Sequence, residues 1–265
     1  MLATRILTAT ALLAAFLAAL FYLDQKQFAA LVALVVAIAA NEWSALAGAG
    51  KITRLAYAGA SVLAYGLFLL LPELARGLMW GAFAFWAVVV PWRLARGLAP
   101  TPVLWTLAAG LIVIVPAGVA MATLARDLLL LLLGLIWTAD TAAYFVGRAF
   151  GRHQLAPSIS PGKTWEGVAG AVAGCIIYAI IWASFDPELR ARVQGVIWVP
   201  FLAGVLLLCA LSVLGDLFES ALKRQSGAKD SGKLLPGHGG VLDRIDSATA
   251  ALPGALLLMQ AMGAA

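Results

Sequence analysis

Apolar residues run in long blocks along this chain, separated by short polar joints. Nine blocks stand out: 6–23, 28–47, 55–71, 78–92, 103–121, 128–146, 167–184, 196–214 and 248–263. Most approach the roughly 20 residues a helix needs to cross a bilayer. They are rich in Leu and Ala and lack the alternation of barrel strands, and a backbone in lipid must satisfy its own hydrogen bonds. The pattern predicts an all-α polytopic membrane protein with about nine transmembrane helices and a cytosol-facing polar cavity. The block at 78–92 is short and ends at Pro91 and Arg93, so the pattern leaves its limits open. The first block is longer than a typical signal-peptide core and the next follows within a few residues, so it reads as a retained span.

Composition agrees. Of the 265 residues, 63% are hydrophobic and only 12% charged, about half the usual charged share of a soluble domain. So few charges exclude a soluble enzyme, and so much apolar surface excludes a disordered chain. Cys175 and Cys209 both lie inside apolar blocks, which excludes a disulfide framework and reads as two small buried thiols.

The net charge of +5 fits Lys and Arg held on one side of a membrane. With nine spans, the N-terminus and the loops at 48–54, 93–102, 147–166 and 215–247 share a side. Thirteen of the 18 Lys and Arg lie there, and five (Lys26, Arg76, Arg126, Arg190 and Arg192) on the other. The expected orientation has the N-terminus in the cytoplasm and Ala265 outside, in the inner (cytoplasmic) membrane of the cell.

Organisation changes once. Residues 1–127 form N-terminal transmembrane helices with short loops. Residues 128–265 form a region expected to be catalytic, carrying the long cytoplasmic loops 147–166 and 215–247.

Carboxylates near apolar blocks need a reason, since each costs at least about 2.5–3.5 kcal/mol in the bilayer. Glu42, Asp140, Asp216 and Asp246 all fall towards the cytoplasmic side of the expected topology. Asp216, Glu219, Ser220 and Lys223 are spaced i, i+3, i+4 and i+7, one face of a continuing helix. Asp243 and Asp246 are i, i+3 at the start of the last span. Such a cluster suits Mg²⁺, which takes carboxylates together with substrate phosphates.

Between them, 225–240 holds five glycines, with Arg224, Lys229 and Lys233 alongside, a composition able to set backbone N–H groups against an anion. His238, flanked by Gly237, Gly239 and Gly240, is expected to have an accessible ring; His153 reads as a surface residue. In the other long loop, Gly162-Lys163-Thr164 suggests a nucleotide P-loop. The pattern fails, because it needs Gly at 157 and finds Pro157, and no strand is expected before it. Hydroxyls, a lysine and a turn before a helix remain as a phosphate contact.

The run from Ser220 through Lys223-Arg224, Lys229-Asp230, Pro236-Gly237-His238-Gly239-Gly240 and Asp243-Arg244 to Asp246 closely resembles the signature of the phosphatidate cytidylyltransferase (CDP-diacylglycerol synthase) family. Asp140 to Tyr144, Gly147, Gly151 and Ser160 to Gly167 resemble the family's second conserved region. The resemblance covers 140–247, and the earlier helices match only generically. It implies transfer of a cytidylyl group from CTP to phosphatidic acid, giving CDP-diacylglycerol and pyrophosphate, with Mg²⁺ and room for a second cation. It implies Asp216, Asp243 and Asp246 as metal ligands, with Asp140 a weaker one, and Lys223, Arg224, Lys229 and Arg244 on phosphates. Ser160, Lys163, Thr164, Ser220 and His238 are expected around the nucleotide or lipid headgroup. The partners are CTP and bilayer phosphatidic acid, with no nucleic acid; a homo-oligomer is left open. A CTP-dependent polyprenol or phytol kinase is the alternative enzyme, against which the full signature argues. A transporter is the non-enzymatic alternative, and the paired broken-helix repeats it would show are not found.

Overall fold

A computed structural model describes residues 2–97 and 101–261. The helices are α1 (Leu2–Tyr22), α2 (Gln25–Leu46), α3 (Lys51–Leu70), α4 (Pro72–Ala84), α5 (Val90–Ala95), α6 (Val103–Thr123) and α7 (Arg126–Phe150), then α8 (Trp165–Phe185), the short α9 (Pro187–Arg192), α10 (Trp198–Gln225) and α11 (Leu242–Ala261). A π turn, Phe85–Val89, joins α4 to α5. A hairpin of β1 (Gln154–Ala156) and β2 (Ser160–Thr164) joins α7 to α8.

Among the described residues, seven helical segments are long and apolar enough to cross a bilayer; α1 adds the shorter apolar stretch Leu7–Tyr22. All nine apolar blocks fall on helical segments, but length and apolarity single out seven spans. The difference at α11 has a physical cause. Its first turns carry Asp243, Arg244 and Asp246, and every residue from Ser247 to Leu257 is buried. Packed on α10, α6, α4, α7 and α2, α11 needs no lipid-facing surface. One apolar core runs through both stretches of the chain.

The block at 78–92 belongs to a continuous segment, Pro72–Ala95. Pro91 has no N–H to give the preceding turn. The π turn absorbs this by shifting the bonding, with the Val90 N–H donating to Phe85 O. Helices α7 and α8 approach closely through small residues. A Cβ on Gly170 would lie 2.6 Å from Val146 Cβ, and one on Gly174 2.8 Å from Ala142 Cβ.

Long-range hydrogen bonds tie loop and helix-end residues together in two separate groups. In one, Thr8 Oγ1 donates to Pro236 O, and Thr101 Oγ1 to Gln225 Oε1. In the other, Gln25 Nε2 donates to Ala122 O and Arg126 Nη1 to Leu20 O. Ala265, residues 262–263 of the last block and residues 98–100 of one loop lie outside the described residues.

Candidate functional site

Helix α10 presents two faces. Phe218 packs edge-on against Phe85, Trp86 and Trp105 and at a tilt against Trp43. Each such pair contributes about 0.5–1.5 kcal/mol beyond the area it buries. That aromatic cluster fixes the rotation of the helix. The face carrying Asp216, Ser220 and Lys223 therefore turns to the polar end of the bundle. Gly215 lets α10 touch α11 there, since a Cβ at 215 would lie 2.5 Å from Asp246 O.

The result is a cavity of about 660 Å³ bounded by α7, β2, α10 and the start of α11. Asp140, Lys163, Thr164, Asp216, Lys223, Asp243, Arg244 and Asp246 line it, together with Tyr144, Arg148 and Asp230. Lys163 Nζ pairs with Asp216 Oδ2 at 2.5 Å. Lys223 Nζ reaches Asp243 Oδ1 at 2.6 Å and Glu219 Oε2 at 3.0 Å. Ser220 Oγ donates to Asp216 Oδ1, and Ser247 Oγ to Asp140 Oδ2. Asp140 lies within electrostatic reach of Asp216, Asp246 and Lys163.

The hairpin delivers Lys163. Its register pairs Gln154 with Thr164 and Ala156 with Ser160. Ile159 at the tip is buried against Leu217 and Ala221 of α10, and Arg224 Nε donates to Ile159 O. Thr164 Oγ1 caps α8 by accepting the Gly167 N–H. The expectation of a loop without strands is thus corrected. Prolines 157 and 161 fall where a short, irregular antiparallel pair tolerates them, and Gly162-Lys163-Thr164 lies in β2.

The loop 226–241 is held by two acids. Asp243 Oδ2 accepts from Ser231 N, Ser231 Oγ and Gly240 N, each at 2.8 Å. Glu42 of α2, only 7% exposed, accepts from Leu242 N, Val241 N and Ser231 Oγ. Glycine is required where these carboxylates touch the loop. A Cβ at 232 or 240 would meet Glu42, and Gly239, at φ +81°, faces Asp243.

Three of the four acids expected at a shared cavity meet there: Asp140, Asp216 and Asp246. Glu42 sits behind the loop instead. Arg244 is exposed at the cavity, while Ser160, Ser220, Arg224, Lys229 and His238 do not line it. Ser220 and Arg224 support Asp216 and the hairpin. Lys229 and Lys233 point to solvent. His238 is half-buried, and its Nδ1, expected to be accessible, is buried without a hydrogen-bond partner. His153 pairs with Glu166 at 2.6 Å. Tyr144 and Arg148 are lining residues that residue chemistry alone did not single out; their i, i+4 spacing on α7, one turn beyond Asp140, was the available signal.

Among the described residues, no group of three or more His, Cys, Asp or Glu is gathered closely enough for one metal ion. Both oxygens of Asp243 accept hydrogen bonds, from Lys223 and from the loop, and both oxygens of Asp216 are engaged too, by Ser220 and Lys163. The expected set is of a kind that suits Mg²⁺. Asp140, Asp216, Asp243 and Asp246 all line the cavity, and magnesium asks only one or two carboxylates when phosphates and water supply its other positions.

Residues 3–262 match the sequence profile of the cytidylyltransferase family. The chain is 39% identical to the phosphatidate cytidylyltransferase of Pseudomonas aeruginosa over 272 residues, covering 99% of this chain and 98% of that one. The protein of that name from Haemophilus influenzae is 51% identical over 126 residues, 48% of this chain and 43% of its own. The one from Thermotoga maritima is 45% identical over 117 residues, 44% and 43% of the two chains.

Proposed function

The chain belongs to the cytidylyltransferase family, and on that premise we propose that its cavity is where a cytidylyl group passes from CTP to phosphatidic acid, giving CDP-diacylglycerol and pyrophosphate. The observation that carries this is the meeting of two distant polar segments, around 140–164 and 216–246, at one cavity whose walls mix lysines with carboxylates.

A phosphate oxygen of the lipid attacks the α-phosphorus of CTP. The bond from that phosphorus to the bridging oxygen breaks, and pyrophosphate leaves with the electron pair. The attacking monoester is already largely ionised at neutral pH, since such groups have a second pKa near about 6, so no general base is required. The barrier is the approach of two anions. Lys163, Lys223 and Arg244 lie where their charge offsets that repulsion, and the Asp216 and Asp243 carboxylates hold the two ammonium groups in position. Asp216 and Asp246, with Asp140 beside them, would hold Mg²⁺. When bound it neutralises phosphate oxygens and aligns the attacking and leaving groups. Thr164 lies beside Lys163 on the same wall.

The protein is a membrane protein. We place the end bearing the cavity in the cytoplasm, at the inner membrane and on the same side as the N-terminus, because thirteen of the 18 Lys and Arg belong to that end.

Label placement tests the reaction. With purified protein, phosphatidic acid and Mg²⁺, label at the α-phosphorus of CTP should enter lipid, and label at the γ-phosphorus should leave as pyrophosphate. Entry of the γ-label into lipid, with the α-label left in CDP, would identify a kinase and overturn the reading.

A further inference from the structure

Four cations line the cavity: Arg148, Lys163, Lys223 and Arg244. The two lysines are already paired, with Asp216 and with Glu219 and Asp243. Among the described residues the two arginines pair with no carboxylate, and they stand on different walls. Arg244 is in the first turn of α11, beside the loop. Arg148 is in the last turn of α7, where its Nη1 donates to Tyr144 Oη at 2.8 Å and its guanidinium stands 6.0 Å from the Tyr144 ring.

The surroundings of Arg148 set it apart. Tyr144, Phe145 and Phe150 of α7 and Trp165 of α8 are 56%, 63%, 67% and 59% exposed. Exposed aromatics at the end of a membrane helix mark the headgroup level of the bilayer. Tyr144 belongs to this belt and lines the cavity as well. The α7 wall is therefore the side on which a lipid headgroup can enter while its chains stay in the membrane. A guanidinium there offers a planar pair of N–H groups to a phosphomonoester, a geometry an ammonium lacks.

We propose that Arg148, oriented by Tyr144, binds the phosphate of the lipid substrate, leaving Lys163, Lys223 and Arg244 to the nucleotide. The assignment rests on the reading of the cavity as the cytidylyl-transfer site. Arg148 is exposed, so its replacement does not burden folding.

The test is steady-state kinetics of Arg148→Gln and Arg148→Lys in mixed micelles whose total anionic charge is held constant with phosphatidylglycerol. Arg148→Gln should raise KM for phosphatidic acid about tenfold or more, the usual scale for a lost charged hydrogen bond, with KM for CTP within about twofold of wild type. Arg148→Lys should recover part of the loss. An unchanged KM for phosphatidic acid, an equal rise in both KM values, or a rise for CTP alone would overturn the assignment. Failure of the wild-type protein to make CDP-lipid would instead overturn the reading of the cavity.

Discussion

The carboxylate of Glu42 on α2 accepts the backbone N–H of Leu242 at 2.8 Å, joining residues 200 apart in sequence at the N-terminus of α11. The same side chain takes the Val241 N–H and the Ser231 hydroxyl. A helix far away in sequence thus fixes where α11 begins, and with it the position of Asp243 and Asp246.

Glu42→Ala should leave the Leu242 and Val241 N–H groups without an acceptor, at about 1–3 kcal/mol for each that stays buried, while the Ser231 hydroxyl keeps Asp243 Oδ2. Proteolysis within 226–241 should accelerate, and the melting midpoint in detergent should fall. Glu42→Gln keeps an acceptor oxygen and should lose less on both measures. A loop as resistant in Glu42→Ala as in wild type would mean that the contact does not hold it.

Gly215→Ala should push α11 away from α10, because the new methyl would meet Asp246 O. Overpacking of this kind costs about 1–3 kcal/mol. Turnover should drop along with the melting midpoint. Gly204→Ala is the control on the same helix, since its nearest neighbour would be Leu258 Cδ1 at 3.5 Å; its midpoint should stay level or rise.

The two acids of the first turns of α11 should separate in behaviour. Chelation of divalent cations should abolish turnover. Asp246→Asn should cut turnover by orders of magnitude while keeping or raising the melting midpoint, because facing carboxylates repel one another. Asp243→Asn should lower the midpoint and expose the loop to protease, since Asp243 binds Lys223, Ser231 and Gly240 together. The same stability profile in both variants would show that the distinction is wrong.

Cysteines placed at Lys229 and at Gly195 should be labelled from opposite sides of the membrane. The native thiols do not interfere, since Cys175 and Cys209 are both buried. In intact spheroplasts, a membrane-impermeant maleimide should reach position 195 and miss position 229. Labelling of both from one side would contradict the topology.

The helices were legible because lipid leaves a backbone few options, and each apolar block lies on one. The α10 face was legible too, from the spacing of Asp216, Ser220 and Lys223 alone. What escaped depended on distance. Nothing local to Glu42 announces partners at 231, 241 and 242. The hairpin escaped because its two prolines and glycine read as loop, and only burial of Ile159 against α10 explains why it is ordered. Arg148 looked like any basic residue near a helix end until the aromatic belt around Tyr144 gave it a depth. His238 misled because flanking glycines suggested openness, while its Nδ1 is buried in the folded protein.

The burial of α11 has a consequence for how the protein is made. A segment that opens with three charged residues, contains Pro253 and is enclosed from Ser247 to Leu257 has little to gain from meeting lipid by itself. It follows the other helices out of the ribosome, so the walls it needs can be standing before it arrives. Its entry would then be docking into a prepared slot more than partitioning into a bilayer. The acids Asp243 and Asp246 ride on that helix and line the cavity, so the cavity is completed in the same event that closes the bundle, and a nascent chain lacking α11 has an incomplete one.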